Sequence, residues 1–280
     1  MLSPVVALVQ DRRGRFSPLR AATLAILVIP AVRLFVLFVT GGLGGRPVLE
    51  FTRGIGDFAV YFLLASLAIT PLRTVLDWQR LIPLRRMIGV AAACYAGIHF
   101  SLYVIDQKFD LLHVASEIAL RFYLTIGFVT FLGLVALAVT STDSWLKRLG
   151  RRWKQLHKLA YPLAALALFH YFLQSKADVS AAVFVAGIFA WEMIWRLTSR
   201  ASRLHWWPIP LIALGAALAT AGIEVSWYGL ATRIDPLRVL QANLDIAYGP
   251  RPAVAILVCG LFLSALAALR RWRQNRVVVA

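Results

Sequence analysis

Apolar runs of about 20 residues recur along the whole of this chain. Each is long enough to cross a hydrocarbon core roughly 30 Å thick. Hydrophobic residues make up 60% of the 280 and charged residues only 15%, and the mean hydropathy is +0.73. A globular domain of this length carries more charge. The pattern predicts an all-α polytopic membrane protein with almost no room for a soluble domain. Eight spans are expected, at 21–40, 55–72, 87–105, 121–141, 158–174, 179–197, 207–228 and 252–270. The N-terminal run is longer than a signal-peptide core and no A-x-A site follows it, so it reads as a retained first helix.

The formal net charge of +17 is concentrated in short loops between these runs. Such a distribution sets topology rather than nucleic-acid binding. The segments 1–20, 73–86, 142–157 and 198–206 and the tail after 270 hold most of the arginines and lysines. The alternate loops carry Asp106, Asp110, Glu117, Asp178, Asp235 and Asp245. Both termini are therefore expected in the cytoplasm. Trp78, Trp145, Trp153, Trp206, Trp207 and Trp272 fall near the basic boundaries, as an aromatic belt requires. Cys94 and Cys259 both fall in expected spans, so no disulfide is anticipated. No internal repeat stands out.

Three histidines lie in or beside apolar helices: His99, His157 and His170. An ionisable side chain inside a bilayer is a functional-site hypothesis by default. His99 and His170 fall on the third and fifth spans, which run in the same direction. Each sits about a dozen residues from the cytoplasmic end, so at about 1.5 Å per residue the two reach similar depths. Facing imidazoles at one depth can hold one haem iron from both sides. For any single histidine the alternative is a polar side chain hydrogen-bonded across helices.

His157 lies thirteen residues before His170, roughly 20 Å along a helix, which would separate two stacked haems. The two positions do not share a helical face, and Pro162 between them could kink or unwind the segment. Thirteen residues before His99 stands Arg86, which should lie level with His157. A guanidinium stays protonated, so it suits a haem propionate or a flavin phosphate better than iron. Arg86 is open to two readings, anion partner or unusual ligand. Its neighbour Arg85 also fits a plain positive charge at a helix end. His113 and His205 read as interface residues.

Several blocks together carry a resemblance: Gly-Ile-Gly-Asp-Phe from 54, Arg-Arg-Met-Ile-Gly from 85, Tyr-Ala-Gly-Ile-His-Phe-Ser-Leu-Tyr from 95, Arg-Phe-Tyr-Leu-Thr-Ile-Gly from 121, Trp-Lys-Gln-Leu-His from 153 and Ala-Leu-Phe-His-Tyr-Phe from 167. Over about 20–199 the chain closely resembles the MsrQ family, haem-binding membrane subunits of the ferric-reductase-like transmembrane superfamily. The resemblance implies a six-helix haem-binding domain at 21–199, after a cytoplasmic segment 1–20 and before a two-helix extension at 200–280. It implies one or two b-type haems, with ligands at His99, His157 and His170. It also implies FMN, whose phosphate the Arg85–Arg86 loop would suit. Electrons would come from the quinone pool or a cytoplasmic flavin reductase. They would leave to MsrP, a periplasmic molybdenum-cofactor enzyme that repairs methionine sulfoxide in oxidised proteins. Phe122 replaces a proline usual in the family, and the helices after 200 exceed its usual six.

The expected role is electron transfer without substrate chemistry in this subunit. Two other classes compete. A stand-alone ferric-reductase-like or cytochrome b oxidoreductase would usually carry a fused FAD and nicotinamide domain. A transporter or proton relay would favour matched Gly or Pro breaks in two halves, and none is apparent.

Overall fold

The structure is a computed structural model that describes residues 9–10, 14–175, 178–201, 208–232, 234–245, 247 and 249–279. The expected interface residues His205, Trp206 and Trp207 lie outside these. Among the described residues the chain is built of helices: α1 Pro18–Val39, α2 Pro47–Val75, α3 Ile82–Asp106, α4 Leu111–Leu120, α5 Phe122–Val139, α6 Asp143–Leu149, α7 Arg151–Leu156, α8 Ala160–Gln174, α9 Ser180–Ala201, α10 Pro208–Ala231, α11 Pro236–Leu244 and α12 Pro252–Val279. The one extended pairing among them is an isolated bridge between Gln10 and Phe16. Five helices open on proline, whose fixed φ suits the first turn and whose missing N–H is not needed there.

Seven helical segments are long and apolar enough to cross a membrane: α1, α2, α3 with its preceding 3-10 turn, α5, α9, α10 and α12. The protein is a multi-pass membrane protein. The remaining expected span, 158–174, is a shorter α-helix of 15 residues, α8, preceded by a 3-10 turn over His157–Leu159. Pro162 explains the break. It has no N–H to offer the Lys158 carbonyl, and its ring crowds the preceding turn, so the chain tightens before α8 starts. At about 1.5 Å per α residue and about 2.0 Å per 3-10 residue, His157 to Gln174 still reaches roughly 28 Å.

Four further helices occupy segments read from sequence as loops. They are α4, α6, α7 and α11, of 10, 7, 6 and 9 residues. Asp110, Thr142 and Asp235 cap α4, α6 and α11, each accepting a backbone N–H from the first turn. Cys94 and Cys259 are free and exposed.

The helices group into two compact units. One takes the described residues up to Ser66 and from Pro83 to His170, the other Leu67–Ile82 and the described residues from Tyr171. In the second unit Trp191 and Trp195 of α9 pack into a core with Ile209, Ile212 and Ala216 of α10 and Ile256 and Ala267 of α12. For that reason α9 groups with the C-terminal helices.

In the first unit Tyr95 of α3 reaches the hydrogen-bond ladder of α1. Its hydroxyl donates to the Leu27 carbonyl at 2.7 Å and accepts from the Ala31 N–H at 3.1 Å. These are the two groups of one helical rung. Pro30, inside α1, removes the rung beside it.

Candidate functional site

Four helices of the first unit present the site. Phe100 of α3 stacks on Phe131 of α5 with centroids 5.2 Å apart and lies 5.5 Å from Phe128. His99 and Gly127 are the chain neighbours of Phe100 and Phe128, so this aromatic contact brings the two histidine-bearing regions together. His99 projects from α3 against α2, and His170 projects from α8 against α5. The two imidazoles are within electrostatic reach of one another.

His99 Nδ1 lies 2.8 Å from the Thr52 carbonyl, and His170 Nδ1 lies 2.8 Å from the Tyr123 carbonyl. A carbonyl can only accept, so each neutral ring must carry its proton on Nδ1. Nε2 is then an unprotonated lone pair in both, and it makes no hydrogen bond among the described residues. A metal-ligating histidine usually donates its other ring N–H to just such a partner, which holds the ring and raises its basicity.

Among the described residues no group of three or more His, Cys, Asp or Glu could hold a metal ion. A bare ion therefore lacks the donors it would need. A haem iron takes four nitrogens from its macrocycle and asks the protein for axial ligands only, so two free Nε2 atoms fit that group.

His157 is placed differently. Its ring stacks on Trp153 at 3.8 Å, Nδ1 lies 3.1 Å from the Trp153 carbonyl, and Nε2 lies 3.3 Å from the Ser141 hydroxyl. That hydroxyl also lies 2.7 Å from the Leu137 carbonyl, and Trp153 Nε1 donates to the Thr140 carbonyl at 2.8 Å. With the ring proton on Nδ1, the single Ser141 proton serves either Leu137 or His157 Nε2, so this Nε2 has a polar neighbour that those of His99 and His170 lack. Arg86 forms an ion pair with Asp143. The guanidinium that acts electrostatically on His157 is that of Arg85, although the sequence spacing points to Arg86. His113 is exposed on α4.

The family model described as ferric reductase like transmembrane component matches residues 54–168, a stretch that holds His99 and His157 and ends two residues before His170. A protein-methionine-sulfoxide reductase heme-binding subunit MsrQ from Rhodospirillum rubrum is 40% identical over 196 residues, covering 69% of this chain and 92% of the relative. The chain belongs to the MsrQ family. Proteins of the same description from Herminiimonas arsenicoxydans and Xanthomonas campestris pv. campestris are 43% identical over 146 residues and 41% over 161. They cover 51% and 57% of this chain and 67% and 74% of their own lengths. No solved structure matches.

The sequence reading overlooked two ionisable clusters. Glu224 of α10 is fully buried. It pairs with Arg251, and Asn243 of α11 donates to its Oε2 at 2.8 Å. Glu192 of α9, also fully buried, lies 3.6 Å from Arg196, which bonds the Leu67 carbonyl at 2.7 Å. A carboxylate within an apolar run was the available signal.

Proposed function

We propose that the chain is the transmembrane electron-transfer subunit of a methionine sulfoxide reductase, binding haem b through His99 and His170. The observation that carries this reading is the matched pair of imidazoles. Each has its Nδ1 proton committed to a helix carbonyl and its Nε2 free. Bound there, haem would supply reversible one-electron iron chemistry. The chain's own part is to offer two basic nitrogens, to keep their rings from turning, and to surround them with a dry, low-dielectric wall of Phe100, Phe128 and Phe131.

The basic segments 73–86 and 142–157 support an inner-membrane orientation with both termini cytoplasmic. The electron source is then the quinone pool or a cytoplasmic flavin reductase, and the acceptor is periplasmic MsrP. Methionine sulfoxide is a reversible lesion whose repair in an oxidising compartment needs reductant from inside. A second haem at His157 would require Ser141 to release Nε2. The electrostatic effect of Arg85 on His157 supports it as the cation that would hold a propionate or an FMN phosphate near that ring.

The test is a reduced-minus-oxidised visible spectrum of the purified protein with haem counted per polypeptide. Low-spin b-type bands at a ratio near one, lost in both His99→Ala and His170→Ala, are expected for the outer site alone. A ratio near two brings His157 into an inner site. A colourless protein made with adequate haem supply would overturn the proposal. Ferric reduction that proceeds without MsrP would favour the ferric-reductase-like reading that the matched family description allows.

A further inference from the structure

The two histidines rest on glycine in the same way. A Cβ built on Gly56 would lie 2.8 Å from Nδ1 and 2.9 Å from Cε1 of His99. One built on Gly127 would lie 2.7 Å from Cε1, 2.8 Å from Nδ1 and 3.1 Å from Nε2 of His170. Gly56 stands four residues after Thr52, and Gly127 four residues after Tyr123, the residues whose carbonyls receive the two Nδ1 protons. In each case the histidine follows its carbonyl by 47 residues. Ile55 and Ile126, the residues before the glycines, are both buried.

Helix geometry explains the spacing. Each Cα–Cβ bond tilts toward the helix N-terminus, so the Cβ of residue i+4 sits beside the carbonyl oxygen of residue i. That oxygen already accepts the N–H of residue i+4, and a side chain there shields its second lone pair from any third group. Glycine uncovers it. The imidazole can then lie flat on the neighbouring helix and donate to a carbonyl inside an intact ladder.

We propose that Gly56 and Gly127 are positioning residues: by uncovering the Thr52 and Tyr123 carbonyls they set the tautomer, ring plane and basicity of the two axial ligands. The proposal rests on the haem reading above and adds that the two ligands are held by two copies of one helix-pair device. The glycines lie against the imidazole rings, and with haem bound their replacement would change how the rings are held and how strongly Nε2 donates, with both histidines still present.

The experiment compares Gly56→Ala and Gly127→Ala with wild type as full-length, haem-loaded protein in detergent. It reads low-spin ferric EPR g-values, midpoint potential and haem per polypeptide. A donated Nδ1 proton makes the ligand more basic and favours ferric iron. Each alanine variant should therefore shift the g-values and raise the potential, or lose haem. Gly97→Ala and Gly89→Ala, whose Cβ atoms would find nothing closer than 3.7 and 3.8 Å, should behave as wild type.

Wild-type g-values and potential in both alanine variants would overturn the proposal. So would equal shifts in the two control variants. If Gly56→Ala fails to assemble, the Gly56→Ala, His99→Ala double variant decides. Recovery of a monodisperse, helical apoprotein identifies the imidazole as what the methyl strikes, and no recovery refutes it. Failure of the haem reading itself looks different, since wild type would then lack the His99- and His170-dependent spectrum before any glycine is changed.

Discussion

Replacing Arg251 with alanine should destabilise the second unit far more than its surface position suggests. The Glu224 side chain is 0% exposed and that of Arg251 is 33% exposed. Removing the arginine leaves a carboxylate in an apolar interior with Asn243 Nδ2 as its remaining partner. Breaking a buried pair in this way costs roughly 3–5 kcal/mol. Because water reaches part of Arg251, the low end applies. A loss of about 3 kcal/mol lowers the folded-to-unfolded ratio by about two orders of magnitude.

Most of that loss is the orphaned charge rather than the lost bond, so neutralising Glu224 should return much of it. In a Glu224→Gln background the same arginine change should cost only about 1 kcal/mol, the worth of one hydrogen bond. The coupling between the two positions is then about 2 kcal/mol. Equilibrium unfolding in mixed micelles measures it, with fluorescence from Trp191, Trp195 and Trp227 of this unit as the signal. Equal losses for Arg251→Ala in the two backgrounds would refute the reasoning, because Glu224 would then carry no charge for Arg251 to offset.

Ser141→Ala should leave the haem count unchanged if His157 is structural, whereas His157→Ala should cost about 1–2 kcal/mol through the lost stack on Trp153; haem assay and thermal melting check the pair. Tyr95→Phe should cost about 0.6–1.7 kcal/mol, because Leu27 and Ala31 can re-pair, and it should raise amide protection at Ala31 in hydrogen exchange. Asp178 is held below the usual carboxylate range by the Ser180 hydroxyl and N–H, with Arg251 adding to the effect. Its stabilisation is present above the unfolded pKa of about 3.9 and is lost as pH falls through the lower folded value. Asp178→Asn should therefore flatten the acid limb of a stability–pH curve.

The spans were legible because hydropathy over twenty residues is a sum that single residues hardly alter. The short helices α4, α6, α7 and α11 were not, since six to ten residues leave too few turns for a period to show. His99 and His170 stood out because an imidazole in hydrocarbon is rare. Gly56 and Gly127 did not, although both lie in quoted blocks. A glycine's contribution there is a missing methyl, and that means nothing until the ring filling the space is known. Ile-Gly recurs at 55–56 and 126–127 in the two helices that receive the rings. At two residues it is too short to read without the structure. His157 stood out for the same reason, but its surroundings did not: the Ser141 hydroxyl and the Trp153 ring beside it come together only in the fold.

The rung that α1 lacks at Pro30 bears on how the protein meets membranes of different thickness. With 22 residues, α1 is about 33 Å long, at the upper end of the roughly 27–33 Å range of biological bilayers. Its outward faces, including Ile26, Ile29, Val32 and Phe35, are exposed. Pro30 and the Tyr95 hydroxyl together make a joint near the middle of this helix. In a thin bilayer α1 can shorten its projection by bending there. Tyr95 lies one turn before His99 on α3, so the bend falls beside Tyr95 and spares the helix that carries His99. The joint works as a strain relief between the lipid and that histidine.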